Sequence, residues 1–429
     1  MQSRDHVRKA PRPRTALTQL QLVKLNRGLL LLRRRNRFYR KKLEGAPLPL
    51  EDLSELVSLP FTHKHELVRD QEEYPPFGSN LTSPRWKYTR IHSTSGTTGR
   101  PLVWLDTARS WAWWLHCWKE VLRAAGVGRD DVLFAAFGFG PFIGFWGAFE
   151  AAQALGAMVV AGGAQSSLQR IEWLRASGAT VLLSTPTYAL RLADVARENG
   201  IDLSGGSVRV SIHAGEPGAN IPATRARIEQ AWGARCFDHA GMTEVGAWGL
   251  DCSKRSGMHL LETDFIGEVV DPHTNAPVPA GKEGELVLTN LGRWDMPAVR
   301  YRTGDIVRLR KGPCGCGSPY LCFAGGVVGR ADDMVTVRGI NVYPSAVEAL
   351  VRTQGAVVEF EVEVFRRGEM WELEVRVEVE PPSKATEVCQ SLSRQFQTGL
   401  GLRTSVRALP ARSLPRYDLK ARRFKIRRD

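Results

Sequence analysis

Ser93-Thr94-Ser95-Gly96-Thr97-Thr98-Gly99-Arg100-Pro101 is the stretch on which the reading of this chain turns. Hydroxyl residues interleave with two glycines and the run ends on a cation and a proline. Gly96 and Gly99 let the backbone approach a ligand closely, so N–H groups and hydroxyls can wrap a polyphosphate. The pattern is not the G-x-x-x-x-G-K-[ST] loop of the common nucleotide hydrolases, which lacks this density of hydroxyls. Taken alone, an ordinary polar turn accounts for it as well.

Three motifs downstream decide between the two. Residues 238–244 read Asp-His-Ala-Gly-Met-Thr-Glu, residues 301–305 read Tyr-Arg-Thr-Gly-Asp, and residues 329–344 run from Gly-Arg-Ala-Asp-Asp to Asn-Val-Tyr-Pro. With the opening loop, this ordered set resembles the adenylate-forming superfamily of acyl-CoA ligases, and within it the phenylacetate–CoA ligase family. The likeness runs from about residue 30 to the C-terminus.

The resemblance implies an enzyme that joins a carboxylate to the α-phosphorus of ATP, expels pyrophosphate, and passes the acyl group to coenzyme A. Such an enzyme must hold ATP, shield charge and orient the attacking oxygen. Kinship places Ser93–Pro101 on the β- and γ-phosphates, with Arg100 where lysine is usual; arginine keeps the cation and changes its geometry. A loop of this kind is expected to be weakly ordered without nucleotide. Thr243 then touches the α-phosphate and Glu244 holds Mg²⁺, a hard cation suited to carboxylate and phosphate oxygens. A helix-starting capping box is the alternative for that Thr-Glu pair.

Asp305 matches the acid that accepts hydrogen bonds from the ribose hydroxyls, the plainer alternative being a β-turn closed through Gly304. Arg330 matches a nucleotide-contacting arginine. Gly215, Glu216 and Pro217 lie in a turn that the family lays along the adenine and acyl pocket, while His213 before it is given no role. Asp238 and His239 open the second motif and are placed on the ATP side, with Ala240 and Gly241 beside the acyl group. Lys420, in Leu-Pro-Arg-Tyr-Asp-Leu-Lys-Ala, aligns with the adenylation lysine that bridges carboxylate and α-phosphate. Leu419 stands where glycine is usual. Asp332 matches the hinge about which a small C-terminal domain turns between adenylation and thioester formation.

Phe137-Gly-Phe-Gly-Pro-Phe-Ile-Gly-Phe-Trp146 alternates aromatics with glycine. It resembles the family's acyl-pocket stretch, and Phe139, Phe142 and Trp146 are the candidates for a flat apolar slot; simple core packing is the alternative. The acid is therefore expected to carry an aryl or other apolar body, phenylacetate and benzoate types being indistinguishable here. An amine or a carrier protein as acceptor would share every ATP motif. Cys252, His259, Cys314 and Cys316 form a Cys₃His set suited to a closed structural zinc site, which many family members carry, with Cys322 as a substitute ligand. Cys117, Cys236 and Cys389 read as core residues.

The fold expected is α/β: a large multi-layer adenylation domain with a mostly parallel sheet, residues 15–329, and a small mobile α+β domain, residues 330–429, after a basic disordered leader, residues 1–14. Helical stretches at 107–125, 146–155, 167–177, 187–198 and 222–232 alternate with short β-rich runs, the mark of parallel strands with helical crossovers. Phe265–Val270, Glu285–Thr289 and Ile306–Arg310 alternate more cleanly and suggest an antiparallel subdomain. Residues 15–44 read as one amphipathic helix.

At 429 residues, 43% hydrophobic and 24% charged, the chain has the composition of a globular protein. It lacks an apolar run long enough to span a bilayer and an N-terminal signal segment, so no membrane association and a cytoplasmic location are expected. Its net charge of +14 sits at the ends: residues 1–43 hold fourteen Lys/Arg against Asp5 alone. Aromatics fall in apolar segments rather than among these cations, so nucleic acid is not an expected partner. Kinship also allows a homodimer.

Overall fold

The computed structural model describes residues 13–94, 101–338, 340–367, 370–417 and 421–427. Ser95–Arg100 and Lys420 therefore lie outside the described residues, as does the leader up to residue 12.

The N-terminal segment is not one helix. α1 (Arg14–Arg35) ends at Asn36, whose backbone is extended, and α2 (Arg37–Lys42) starts there. Asn36 Oδ1 accepts from the Tyr39 N–H at 2.9 Å, a cap that resets the chain. Its buried Nδ2 donates to Asn80 and Thr82, both at 3.0 Å, so a tertiary anchor overrides the helical period. Leu17, Leu25, Leu29 and Leu32 are buried. Arg14, expected in the leader, is the first helical residue and pairs with the buried Glu262.

α3 (Lys64–Glu73) leads to a hairpin, β1 (Tyr88–Ser93) and β2 (Val103–Thr107). The crossover half of the large domain follows: α4 (Ala108–Ala124), β3 (Val132–Ala135), α5 (Ile143–Ala154), β4 (Met158–Ala161), α6 (Ser167–Ala176), β5 (Val181–Ser184), α7 (Pro186–Glu198), β6 (Val210–His213), α8 (Pro222–Trp232) and β7 (Arg235–Met242). Thr107, Ser166 and Thr185 cap α4, α6 and α7, and proline opens α7 and α8. β5 and β6 are buried along their whole length, as central strands covered on both faces must be. Leu182→Ala there should cost about 2–5 kcal/mol through the cavity it leaves.

Six strands complete the sheet: β8 (Gly246–Asp251), β9 (Met258–Leu260), β10 (Phe265–Val270), β11 (Glu283–Asn290), β12 (Tyr301–Leu309) and β13 (Cys322–Arg330). The eleven strands run in the order β10-β11-β12-β13-β9-β8-β7-β6-β5-β3-β4. The expected antiparallel subdomain is thus continuous with the parallel half. The sheet is mixed rather than mostly parallel: β4, β3, β5, β6 and β7 pair in parallel, and every pairing from β7 to β10 is antiparallel. β7 belongs to both halves.

α4 lies against this sheet with Trp111, Trp114 and Trp118 buried. It meets α5 at Gly147, where an added Cβ would sit 2.0 Å from Trp114 Nε1, so only glycine fits.

A short hairpin, β14 (Val335–Val337) and β15 (Ile340–Val342), leads into the small α+β unit. α9 (Pro344–Arg352), β16 (Val357–Arg367), β17 (Met370–Val379), α10 (Ala385–Leu400), β18 (Ser405–Leu409) and β19 (Phe424–Arg427) form it, around a sheet ordered β18-β17-β16-β19. Val347, Val351, Val362, Val375, Leu392 and Phe396 make a core separate from that of the large domain. Among the described residues no helix is long and apolar enough to cross a membrane.

Candidate active site

The parallel strands β3, β5, β6 and β7 are neighbours in one sheet, so their carboxyl ends share an edge. Such an edge is where open α/β sheets bind ligands. Residues 136–142 follow β3, Thr185 follows β5, the turn 214–218 follows β6, and β7 ends in Asp238–Met242. Three of the stretches singled out in the sequence, with Thr185 beside them, are therefore gathered by topology alone.

β1 and β2 hold the neck of the phosphate-loop candidate. Ser93 pairs with Val103 in register. Thr94 is buried; its N–H donates to the Leu102 carbonyl, and its Oγ1 accepts from the Leu102 N–H, both at 2.9 Å. Thr94 and Leu102 thus clamp the base of the loop. The Ser93 N–H donates to the Pro141 carbonyl at 3.0 Å, which fastens the neck to the aromatic-glycine stretch.

Thr243 and Glu244 form the turn out of β7. Glu244 is buried, with Tyr301 Oη donating to its Oε1 at 3.3 Å and Lys64 Nζ 3.7 Å from the same oxygen. The turn is pinned from behind by the fully buried Arg293, whose Nη1 donates to the Thr243 carbonyl at 2.5 Å. Arg293 Nε in turn donates to Asp106 at 2.8 Å, and the guanidinium lies 4.9 Å from the Trp114 ring. A buried cation so paired is costly to disturb. Lys64, Asp106 and Arg293 were not legible as site residues, because each lies outside the motifs; Tyr301 opens one of them and could have been read.

The two residues before Ala240 are buried and held in fixed states. Asp238 accepts from Asn220, and burial beside Asp251 pushes its acid well above the carboxylate range, with Arg225 opposing. His239 packs on Trp118 with ring centroids 4.1 Å apart, and burial pushes it down to about 4, so it is neutral. Its Nδ1 lies 2.6 Å from the Gly249 carbonyl, which can only accept, so Nδ1 carries the proton and Nε2 a lone pair. That lone pair looks over Gly241, where a Cβ would stand 3.1 Å away.

Asp305 faces Arg330 across β12 and β13, and Arg330 also forks onto Asp332, Nε–Oδ1 2.8 Å and Nη2–Oδ2 3.0 Å. Burial raises Asp305 to about 6, with Arg330 pulling the other way. Gly304 has φ +75°, and a Cβ there would meet Arg330 Nη2 at 2.9 Å. Thr303-Gly304-Asp305 lies inside β12 rather than in the β-turn the sequence allowed, and the strand needs its glycine on both counts.

In the turn after β6 the structure differs from expectation. Gly215 has φ +94° and supplies the bend, but the Glu216 carboxylate is occupied by the protein's own backbone. Oε1 accepts from the Thr187 N–H at 2.8 Å and Oε2 from the Ala421 N–H at 2.9 Å. His213, given no role, is fully buried and neutral, its Nε2 2.9 Å from Ser211 Oγ. The position of Pro217 follows from the same turn.

Of the pocket candidates, Phe139 and Trp146 meet edge to face at 4.7 Å, and Phe149 closes on Phe139 at 5.1 Å. Trp146 Nε1 donates to the Gly140 carbonyl at 3.0 Å, fixing the stretch on itself. Phe142 stands apart, 41% exposed at the start of α5.

Cys252, His259, Cys314 and Cys316 come together with their ligand atoms all within 4.8 Å of one another. Cys252 and Cys314 Sγ are 3.8 Å apart, and Cys316 Sγ is 3.5 Å from His259 Nε2. Tetrahedral zinc, with Zn–S near 2.3 Å and Zn–N near 2.0 Å, requires separations of about 3.5–3.8 Å. His259 Nδ1 donates to the Tyr320 carbonyl at 3.2 Å, which turns Nε2 to the cluster. Cys322 pairs with His259 across the β9–β13 ladder and is not one of the four.

Residues 64–292 match the model of the AMP-binding enzyme family, and residues 339–428 that of the AMP-binding enzyme C-terminal domain. A phenylacetate-coenzyme A ligase of Thermus thermophilus is 32% identical over 431 residues, covering 95% of each chain. The chain belongs to the phenylacetate–CoA ligase family.

Membership makes it an AMP-forming acid–thiol ligase of the adenylate-forming superfamily, with the large α/β domain and small C-terminal domain of that group. Among solved structures, 2-hydroxyisobutyryl-CoA ligase in the postadenylation state with 2-HIB-AMP superposes with a TM-score of 0.93 at 29% identity, covering 100% of this chain and 94% of that one. The same ligase with 2-HIB-AMP and CoA in the thioesterification state gives 0.73 at 30% identity, covering 97% and 91%. The two domains of this ligase are thus arranged as in the postadenylation form. Arg423 Nη1 to Thr187 Oγ1 at 3.2 Å and Arg227 Nη1 to the Val357 carbonyl at 3.3 Å cross the seam between them.

Proposed function

We propose that this ligase activates a small carboxylic acid with an aryl or otherwise apolar body to its acyl-adenylate and passes the acyl group to coenzyme A. What carries the reading is the gathering of Glu244, the Thr94 neck and the Asp305–Arg330 pair around the carboxyl edge of the sheet. Asp305 receives the ribose hydroxyls and Arg330 lies against the nucleotide. Ser93 to Arg100 close on the β- and γ-phosphates. Thr243 meets the α-phosphate.

Glu244 is the residue to hold Mg²⁺, which when bound would neutralise phosphate charge. Its carboxylate supplies the oxygen a hard cation takes, and such an ion would compete for Oε1 with the Lys64 ammonium 3.7 Å away. Lys420 bridges the acid's carboxylate and the α-phosphate, lowering the repulsion between the two anions as the acid oxygen attacks and pyrophosphate leaves. Asp332 is the hinge at the end of the large domain. Phe139 and Trp146 supply the apolar wall for the acyl body, with Ala240 and Gly241 leaving room beside it. The Cys₃His cluster holds a structural zinc, its Cys252–Cys314 and Cys316–His259 separations suiting a closed tetrahedral site.

The test is thioester formation with coenzyme A across a panel of aryl, arylacetic and short aliphatic acids. Highest kcat/KM with an aryl or arylacetic acid supports the assignment. Acid-dependent pyrophosphate release that coenzyme A does not accelerate would move the acceptor to an amine or a carrier protein.

A further inference from the structure

Glu216 joins three separate parts of the chain. It stands in the turn after β6, its Oε1 takes the Thr187 N–H at the start of α7, and its Oε2 takes the Ala421 N–H on the small domain. The Ala421 nitrogen is covalently the amide that follows Lys420. Among the described residues it is therefore the nearest fixed point to that lysine, and a large-domain carboxylate holds it. Only an ionised carboxylate offers an acceptor on both sides; glutamine would present an N–H to one of the two donors. The N-terminus of α7, where Pro186 has no N–H and Tyr188 gives its own to Thr185 Oγ1, adds an electrostatic preference for an anion there. Arg423, two residues further on, reinforces the junction through Thr187 Oγ1 at 3.2 Å while its Nε binds Glu359 at 2.6 Å.

We propose that Glu216 is a positioning residue, the large-domain catch that holds the Ala421 amide and so sets Lys420 for adenylation. The proposal rests on the reading in which Lys420 serves the first half-reaction. A catch of this kind belongs to one domain orientation only. It is engaged here, where the domains are arranged as in the relative's postadenylation form, and its removal should spare the half-reaction that uses the other arrangement. A glutamate that merely capped α7 would instead support the large domain in both half-reactions alike.

The experiment compares Glu216→Ala and Glu216→Gln with the parent in two assays and one structural measurement on the full chain. Acid-dependent ATP–pyrophosphate exchange should lose about 10–100-fold in kcat for Glu216→Ala, the scale of a misplaced catalytic group, and less for Glu216→Gln. The KM for ATP should stay within about twofold, since both oxygens of the Glu216 carboxylate are taken by backbone N–H groups. Thioester formation from supplied acyl-adenylate and coenzyme A should not change. Amide hydrogen exchange of the peptide spanning 421–427 should speed up in Glu216→Ala. Equal losses in both half-reactions, or unaltered exchange at 421–427, would overturn the proposal. If the parent shows no pyrophosphate exchange with any acid, the functional reading fails, and the hydrogen-exchange comparison still decides the contact.

Discussion

Asp305 Oδ1 lies 3.1 Å from Arg330 Nη1, directly across the β12–β13 ladder. Arg330 is the last residue of β13 and is forked onto Asp332 just beyond it. The acid proposed to take the ribose hydroxyls and the expected hinge residue thus share one guanidinium. The proposed nucleotide contact and the end of β13 are mechanically adjacent.

Asp305 is raised to about 6 by burial, and it must be ionised to accept from the ribose hydroxyls. Affinity for ATP should therefore fall as pH drops through about 6, and Asp305→Asn should remove that dependence. Its KM for ATP should rise about 10-fold or more, the worth of a hydrogen bond to a charged acceptor. Stability runs the other way. A carboxylate whose folded pKa is raised stabilises fully below its unfolded value and loses that contribution as pH rises through about 6. Asp305→Asn should then keep or gain thermal stability at pH 7 while losing ATP affinity, measured by melting and by initial rates.

Glu244→Gln should lower turnover about 100-fold and raise the Mg²⁺ needed for half-maximal rate. The amide keeps one acceptor oxygen but not the charge that a hard cation prefers. Rates titrated against Mg²⁺ check it, and an unchanged titration would remove Glu244 from the metal's coordination.

The cysteine cluster should hold one zinc per chain in protein purified without chelators. Cys314→Ala should lose the metal and several degrees of melting temperature, because binding to a preformed site is folding free energy. Metal analysis that finds no zinc in the parent protein would contradict the assignment.

Phe139→Ala should lower kcat/KM for aryl acids about 10-fold or more relative to short aliphatic acids. It removes the ring that meets Trp146 at 4.7 Å and Phe149 at 5.1 Å, and this partly buried aromatic contributes both area and edge-to-face contact. Phe142→Ala, at an exposed position, should leave the preference alone.

Local signals were legible and long-range ones were not. α6, α8 and β10 stand close to the ranges their periodicity suggested, and Ser166, Pro222 and Gly233 mark helix ends there by local backbone chemistry. The split at Asn36 was hidden, since its cause is a pair of hydrogen bonds to Asn80 and Thr82. The single mixed sheet was hidden too, because which strands adjoin β7 on its far side is a property of pairing rather than of any one segment. Motif residues such as Glu244 and Asp305 could be picked out by their order along the chain. Lys64 and Arg293 could not, for they reach the site from segments whose local pattern says only helix start and loop. Glu216 was legible as a site residue, but its partners lie 29 and 205 residues away, and no spacing rule reports that.

The most direct test is ATP–pyrophosphate exchange by the parent protein with Mg²⁺ and a panel of carboxylic acids, coenzyme A withheld, with Lys420→Ala as control. Exchange that depends on an added acid and is abolished in Lys420→Ala, with ATP still bound, is the expected result. No exchange with any acid, or undiminished exchange in Lys420→Ala, would contradict acid adenylation at this site by this lysine.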